Sequence, residues 1–182
     1  MREAILETRR LYLRQMTPGD HEALHRLFSD PVAMVHYPQP FTPEMTTGWI
    51  DWNLRNYRTL GFGLWALVHK AHQQVIGDCG LTLQRIDGID ELEIGYHLLP
   101  AYWKQGLATE AAVACRDHAF DTLERDRVVS WMKAGNVASR RVAERVGMRL
   151  EKEAKDRNGG IQVVYSMRPA DRERPPAHHG GA

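Results

Sequence analysis

The chain lacks the features that would place it in several large classes. It has two cysteines, Cys79 and Cys115, in 182 residues. That is too few for a disulfide-dense scaffold, and buried free thiols suit it better than a bonded pair. No run approaches the roughly 18 apolar residues of a membrane-spanning helix. The opening decapeptide MREAILETRR is charged throughout and has no apolar signal core. Neither sign of charge is in excess, since 24 Lys+Arg face 23 Asp+Glu for a net charge of +1. No bulk attraction to nucleic acid or to a membrane follows from that balance. Both common nucleotide fingerprints are missing: there is no G-x-x-x-x-G-K-[ST], and no G-x-G-x-x-G opens a helix. No metal site is expected. His178 and His179 sit in a terminal stretch, from Pro169 on, that has no core and reads as a disordered tail over 169–182. These absences point to a cytoplasmic globular protein.

What is present fits one α/β (α+β) domain over 1–168. Hydrophobic residues make up 43% of the chain and charged ones 26%, ordinary for a packed core. Arg10 to Gln15 alternates as a strand does. Thr17-Pro18-Gly19-Asp20 is a helix cap, and the helix it starts runs to about Ser29, with Leu24, Leu27 and Phe28 inward. Thr42-Pro43-Glu44 starts a second helix, to about Leu60, with Met45, Trp49 and Trp52 on one side. Between the two lies a proline-broken loop carrying His36, Tyr37 and Phe41. Leu64–His69, Val75–Gln84 and Glu91–Leu99 read as an antiparallel meander, turned at Asp87-Gly88. Gly77 and Gly80 mark bulges or close approaches. Val128–Met132, Met148–Glu153 and Ile161–Met167 bring the sheet to about seven strands. Asn136 to Gly147 is a helix between a cap and a left-handed terminator.

The rest is organised around Leu98 to Phe120. A half-buried strand ends at Leu99. A helix follows with Leu107, Ala111, Ala114, Cys115 and His118 on one face. Between them lies Lys104-Gln105-Gly106-Leu107-Ala108-Thr109. The first amides of a helix have no internal partner, and the helix dipole adds partial positive charge there. Gly106 and Ala108 are small, Thr109 adds a hydroxyl and Lys104 a charge, so a phosphate would be well held. A tight strand-to-helix turn with a solvated lysine explains the same six residues.

Trp103 through Ala108 resembles the acetyl-CoA loop of the GNAT acyltransferases, [QR]-x-x-G-x-[GA], with Trp103 in place of the leading Gln or Arg. The longer string, Pro100-Ala101-Tyr102-Trp103 through Thr109-Glu110-Ala111, is similar to the RimJ/RimL-like branch that acetylates ribosomal-protein N-termini. So are Glu7 to Arg14, Asn136-x-x-Ser139 and Glu144 to Met148. The resemblance covers Leu6 to Met167. It implies a GNAT-like acyl-CoA N-acyltransferase fold, mixed and mostly antiparallel with flanking helices, and acetyl transfer from acetyl-CoA to an amine by direct attack.

The resemblance also implies roles. Backbone groups of His97, Leu98 and Leu99 would pair with the pantetheine arm where their strand splays from Val128–Met132. Amides of Gln105, Gly106, Leu107, Ala108 and Thr109 would hold the pyrophosphate with help from Lys104. Asn136 would contact the cofactor or simply cap its helix. Glu93 is the choice for general base, because burial raises a carboxylate toward working pH. His97 on the same face is the second candidate, ahead of Glu91 and Asp78. The family often places a tyrosine acid where this chain has Ala143, and Ser139 is the substitute. The first two helices and their loop would wall the acceptor pocket, although core packing alone explains their aromatics. The acceptor stays open between a protein N-terminus and a small amine. A CoA-binding module without catalysis is the alternative. Oligomeric state, including a homodimer, is not readable.

Overall fold

A computed structural model describes residues 3–156 and 159–172. Strand β1 is Leu6–Glu7, β2 Leu11–Arg14, β3 Leu64–His69, β4 Gln74–Ile86, β5 Ile89–Leu98, β6 Val128–Lys133, β7 Arg149–Lys155 and β8 Ile161–Met167. They form one sheet in the order β1-β2-β3-β4-β5-β6-β8-β7. The sheet has eight strands rather than about seven. The added one, β1, is a two-residue edge whose pairing with β2 leaves almost no periodicity to read. Four helices flank it: α1 His21–Phe28, α2 Pro43–Thr59, α3 Leu107–Asp121 and α4 Val137–Val146.

Local chemistry explains the boundaries. Asp20 accepts from the Thr17 amide at 2.7 Å and from both terminal nitrogens of Arg14 at 2.7 and 2.8 Å, which fixes the entry to α1. Thr42 Oγ1 accepts the Met45 amide at 3.3 Å at the start of α2. Asn136 Oδ1 accepts the Ser139 amide at 3.1 Å, and Gly147, at φ 101°, ends α4 in a left-handed cap. Asp87 and Gly88, both at positive φ, join β4 to β5 with Ile86 and Ile89 paired across the turn.

Two apolar clusters lie on opposite faces of the sheet. One gathers α3 and α4 around Leu107, Ala111, Cys115 and Val146. The other gathers α1 and α2 around Leu24, Phe28, Met34 and Ile50. The buried face of α3 is turned slightly from expectation: Ala112 and Ala119 are buried, whereas Ala114 and His118 are half-buried. Cys79 and Cys115 are free and buried, with Sγ atoms 3.6 Å apart. The deepest face of α2 is Thr46, Ile50, Asn53 and Tyr57, not the Met45–Trp49–Trp52 side. Its polar members have a task there, since Asn53 Oδ1 accepts the Leu64 amide at 2.7 Å and the Tyr57 hydroxyl donates to the Leu64 carbonyl.

The expected tail from Pro169 begins instead with a one-turn helix, Pro169–Asp171. Arg172 pairs with Asp121 at 2.8 Å and lies over the Phe120 ring. The remainder of that tail, with His178 and His179, lies outside the described residues. No helix among the described residues is long and apolar enough to cross a membrane.

Candidate active site

The sheet opens at its centre. β5 and β6 are parallel and register at a single pair, Glu93 with Val129. The Ser130 hydroxyl then donates to the Ile94 carbonyl at 2.8 Å, a side chain standing where the next ladder bond would be. The Leu99 amide donates to the Ile76 carbonyl, toward β4. Alternation therefore turns the backbone of Tyr96 and Leu98 the other way, into the split. The Leu98 carbonyl is taken by the Trp103 indole N–H at 2.7 Å, leaving its amide and the Tyr96 peptide groups facing the gap. Thus Trp103, the departure from the loop pattern, pins the end of β5.

After the one-turn helix Pro100–Tyr102, Lys104 (φ 60°) and Gly106 (φ 76°) are both left-handed, and Gly106 caps α3. Residues of opposite hand in succession turn successive amides toward one concavity. A Cβ at Gly106 would meet only Arg10 Nη2 at 3.6 Å, so the backbone angle rather than lack of space selects glycine there. The loop is braced from the far end of the chain. Arg10 Nη1 donates to the Gln105 carbonyl at 2.9 Å. Glu110, in the first turn of α3, accepts from Arg10 Nε, the Arg10 amide and the Thr8 hydroxyl at 2.7 to 2.8 Å. Burial works against the Glu110 charge, but these donors outweigh it and hold the carboxyl below its ordinary range.

A cleft of about 960 Å³ runs along the split. Glu93, His97, Leu98, Lys104, Gly106, Leu107, Ala108, Thr109, Asn136 and Ser139 all line it. Two expected residues do not. Leu99 packs with the α1–α2 cluster, and the Gln105 side chain turns back to the Ala101 carbonyl at 3.0 Å. His97 lines the cleft by its ring alone, because alternation turns its backbone, like that of Leu99, toward β4 and away from the expected pantetheine arm. Ser139 is held by its backbone: its amide reaches Asn136, and its carbonyl accepts the Tyr96 hydroxyl at 2.8 Å. Ala143, 1% exposed, packs in the core.

The strand register builds the other end. Asp78 stands opposite His97, and Thr82 opposite Glu93, with Gly80 and Gly95 opposed between them. A Cβ at Gly77 would lie 2.0 Å from the His97 carbonyl oxygen, so glycine is needed for the two strands to approach there. His97 Nδ1 is 2.7 Å from Asp78 Oδ1, and its Nε2 is 2.5 Å from the Tyr37 hydroxyl. Trp49 Nε1 donates to Asp78 Oδ2 at 2.8 Å. Burial disfavours the His97 cation, but Asp78 and then Glu93 outweigh it, and its pKa is raised. Burial also raises Glu93, against the Thr82 hydroxyl donating to it at 3.0 Å. By sequence alone Asp78 ranks low among the candidates and Tyr37 carries no chemistry. Their partners are 19 and 60 residues away in the chain, and no local pattern signals such pairs.

An opened sheet feeding an amide-lined helix start, with a buried carboxylate and imidazole beside it, is the layout of an acyl-transfer fold. The model of the acetyltransferase (GNAT) domain matches residues 10–149, and the chain belongs to this family of acyltransferase enzymes. The YkkB protein of Bacillus subtilis (strain 168), itself uncharacterised, is 36% identical over 159 residues, 87% of this chain and 92% of its own. The crystal structure of an acetyltransferase from Agrobacterium tumefaciens str. C58 is 30% identical with a TM-score of 0.78, covering 89% of this chain and 92% of that one. RimL, a ribosomal L7/L12 alpha-N-protein acetyltransferase solved in complex with coenzyme A, shares the fold at 22% identity and a TM-score of 0.73, covering 91% and 98%.

Proposed function

We propose that the protein moves an acetyl group from acetyl-CoA to a primary amine by direct transfer. The observation that carries this reading is the β5–β6 split running straight into the left-handed loop at the start of α3. Unpaired peptide groups at Tyr96 and Leu98 suit the amides of a pantetheine arm, and the amides following Lys104 suit a pyrophosphate. Lys104, Lys133, Arg141 and Arg145 line the same end of the cleft with exposed cations, as a polyanionic co-substrate requires. The neighbour solved with coenzyme A supports the donor.

Glu93 is the base in this reading. Its raised carboxyl takes a proton from the ammonium, directly or through water, and the freed nitrogen forms a bond to the acetyl carbon as the carbon–sulfur bond breaks. The Tyr96 and Leu98 amides lie where an oxyanion needs donors, a contribution on the order of 10² to 10³ in rate for one donor. Ser139, which lines the cleft beside the Tyr96 hydroxyl, returns a proton to the thiolate. His97 is held by Asp78 and Tyr37 on both nitrogens, which suits it to shaping the field at the amine. The buried Ala143, standing where the family often has an acid, favours the second reading of a CoA-binding module without catalysis.

The two are separated by incubating the protein with acetyl-CoA and a panel of primary amines while following thiol release and acetylated product. Turnover that falls about a hundredfold or more in Glu93→Gln supports transfer. Binding of acetyl-CoA with no turnover of any amine contradicts it and leaves the binding module.

A further inference from the structure

The walls of the cleft differ sharply from end to end. Its cations gather at the α3–α4 end, as described above. At the α1–α2 end the walls are Tyr37, Trp49 and Trp52, beside His97. Trp49 and Trp52 lie 5.2 Å apart between ring centroids, Tyr37 and His97 5.6 Å, and Trp49 and His97 5.8 Å. Phe28 backs this group, edge-on to Trp49 at 5.6 Å. The polar handles are used within the protein. The Trp49 N–H is on Asp78 and the Tyr37 hydroxyl on His97, so both rings are fixed and offer apolar surface. Two aliphatic side chains, Val32 and Val35, line the same cleft and are 58% and 66% exposed.

Against that apolar surround, one carboxylate lines the cleft among the described residues, Glu93. Asp78 is wholly buried behind the rings. Between Glu93 and His97 the floor is Gly95, where a Cβ would come 3.2 Å from Leu64 Cδ2. A single ammonium is thus matched by a single acid, and the rings are left for an apolar or aromatic body. A second ammonium would have no acid to meet. A carboxylate would face Glu93 and aromatic quadrupoles, and a peptide backbone at the α1–α2 end would meet ring faces, because the polar side chains Thr82 and Gln84 are drawn to Glu93.

We infer that the acceptor is a compact monoamine with an aromatic or branched apolar body, its ammonium at Glu93 and its body against Trp49, Trp52 and Tyr37. This deepens the acetyltransferase reading and rests on it. It sets the acceptor apart from polyamines, free amino acids and protein N-termini.

The test uses the full chain with saturating acetyl-CoA and four probes: phenethylamine, hexylamine, spermidine and an alanine-initiated hexapeptide. The expected result is a kcat/KM for both monoamines at least tenfold above those for spermidine and peptide. Trp52→Ala should raise the KM for phenethylamine roughly tenfold, the size of a lost aromatic contact. Trp52→Leu keeps apolar volume if the alanine variant folds poorly, and should spare hexylamine more than phenethylamine. In both variants the melting-temperature rise on adding acetyl-CoA should match the parent. Faster turnover of the peptide or spermidine would overturn the acceptor class while leaving acetyl transfer standing. Equal loss for all four probes in both Trp52 variants would also overturn it. Stabilisation by acetyl-CoA with turnover of none of the probes would overturn both.

Discussion

His97 and Asp78 face each other across β4 and β5 with Nδ1 2.7 Å from Oδ1, and the Asp78 side chain is fully buried. Because the pair raises the His97 pKa, folding takes up a proton. The stabilisation from a charged His97 is therefore fully present below the ordinary histidine value of about 6.5. It is lost as pH rises through the raised folded value. His97→Asn should cost about 3 kcal/mol at pH 6, because it strips a buried carboxylate of its cation. The cost should shrink at alkaline pH. Urea unfolding of both proteins across pH checks this, and a cost that grows with pH would contradict it.

Glu93 shifts stability in the same pH direction, but there the charged form is the unfavourable one. Burial raises its pKa, so its ionised form opposes folding at neutral pH. Glu93→Gln should unfold at a higher temperature than the parent at pH 7. That advantage should vanish below about pH 4, where the carboxyl is protonated in both states. In the parent, kcat/KM should rise with pH through an apparent pKa above the usual carboxylate range, and this limb should be missing from the residual activity of the variant. Lowered stability in Glu93→Gln at pH 7 would argue that the carboxylate is structurally paired.

Arg10 reaches the loop before α3 from the start of the chain, pairing with Glu110 at 2.7 Å and with the Gln105 carbonyl. The pair is partly exposed, so Arg10→Ala should cost only about 1 kcal/mol of stability. Its larger effect should be a several-fold rise in the KM for acetyl-CoA with kcat nearly unchanged, since the brace shapes the loop and lies away from the amine. Steady-state kinetics at saturating amine measure this split. A fall in kcat alone would contradict the bracing role.

Gly77 sets how closely β4 approaches the His97 backbone. Gly77→Ala places a Cβ 2.0 Å from the His97 carbonyl oxygen, and the strands must move apart. A loss of at least 2 kcal/mol is expected, on the order of other severe packing errors. Denaturant unfolding reads it, and a neutral substitution would show that the strands can separate without strain.

The sequence carried local features well. The caps at Thr42 and Asn136, the terminator at Gly147, the Asp87-Gly88 turn and the loop before α3 are each decided by side chains a few residues apart, and each stands where its residues put it. Long-range contacts were harder. Trp49 and Trp52 read as core by helical spacing and do pack, half-buried, against the α1–α2 cluster, but the deepest face of α2 is the one bearing Asn53 and Tyr57, which hold β3 by its backbone. Arg10 with Glu110, and Tyr37 with His97, meet through sheet order and loop path, which residue patterns do not encode. β1 was missed because two residues show no alternation.

The measurement that bears most directly on the account is the melting temperature with and without acetyl-CoA, for the parent and for Gly106→Val, with an unrelated nucleotide as control. At a hundredfold excess over its dissociation constant, the ligand should stabilise the parent by roughly 2.7 kcal/mol. Gly106→Val should fold but lose most of that gain, because its φ of 76° is closed to a β-branched residue without shifting the loop. No selective rise for the parent at millimolar acetyl-CoA, or an undiminished rise in Gly106→Val, would contradict the assignment of this loop as the co-substrate site.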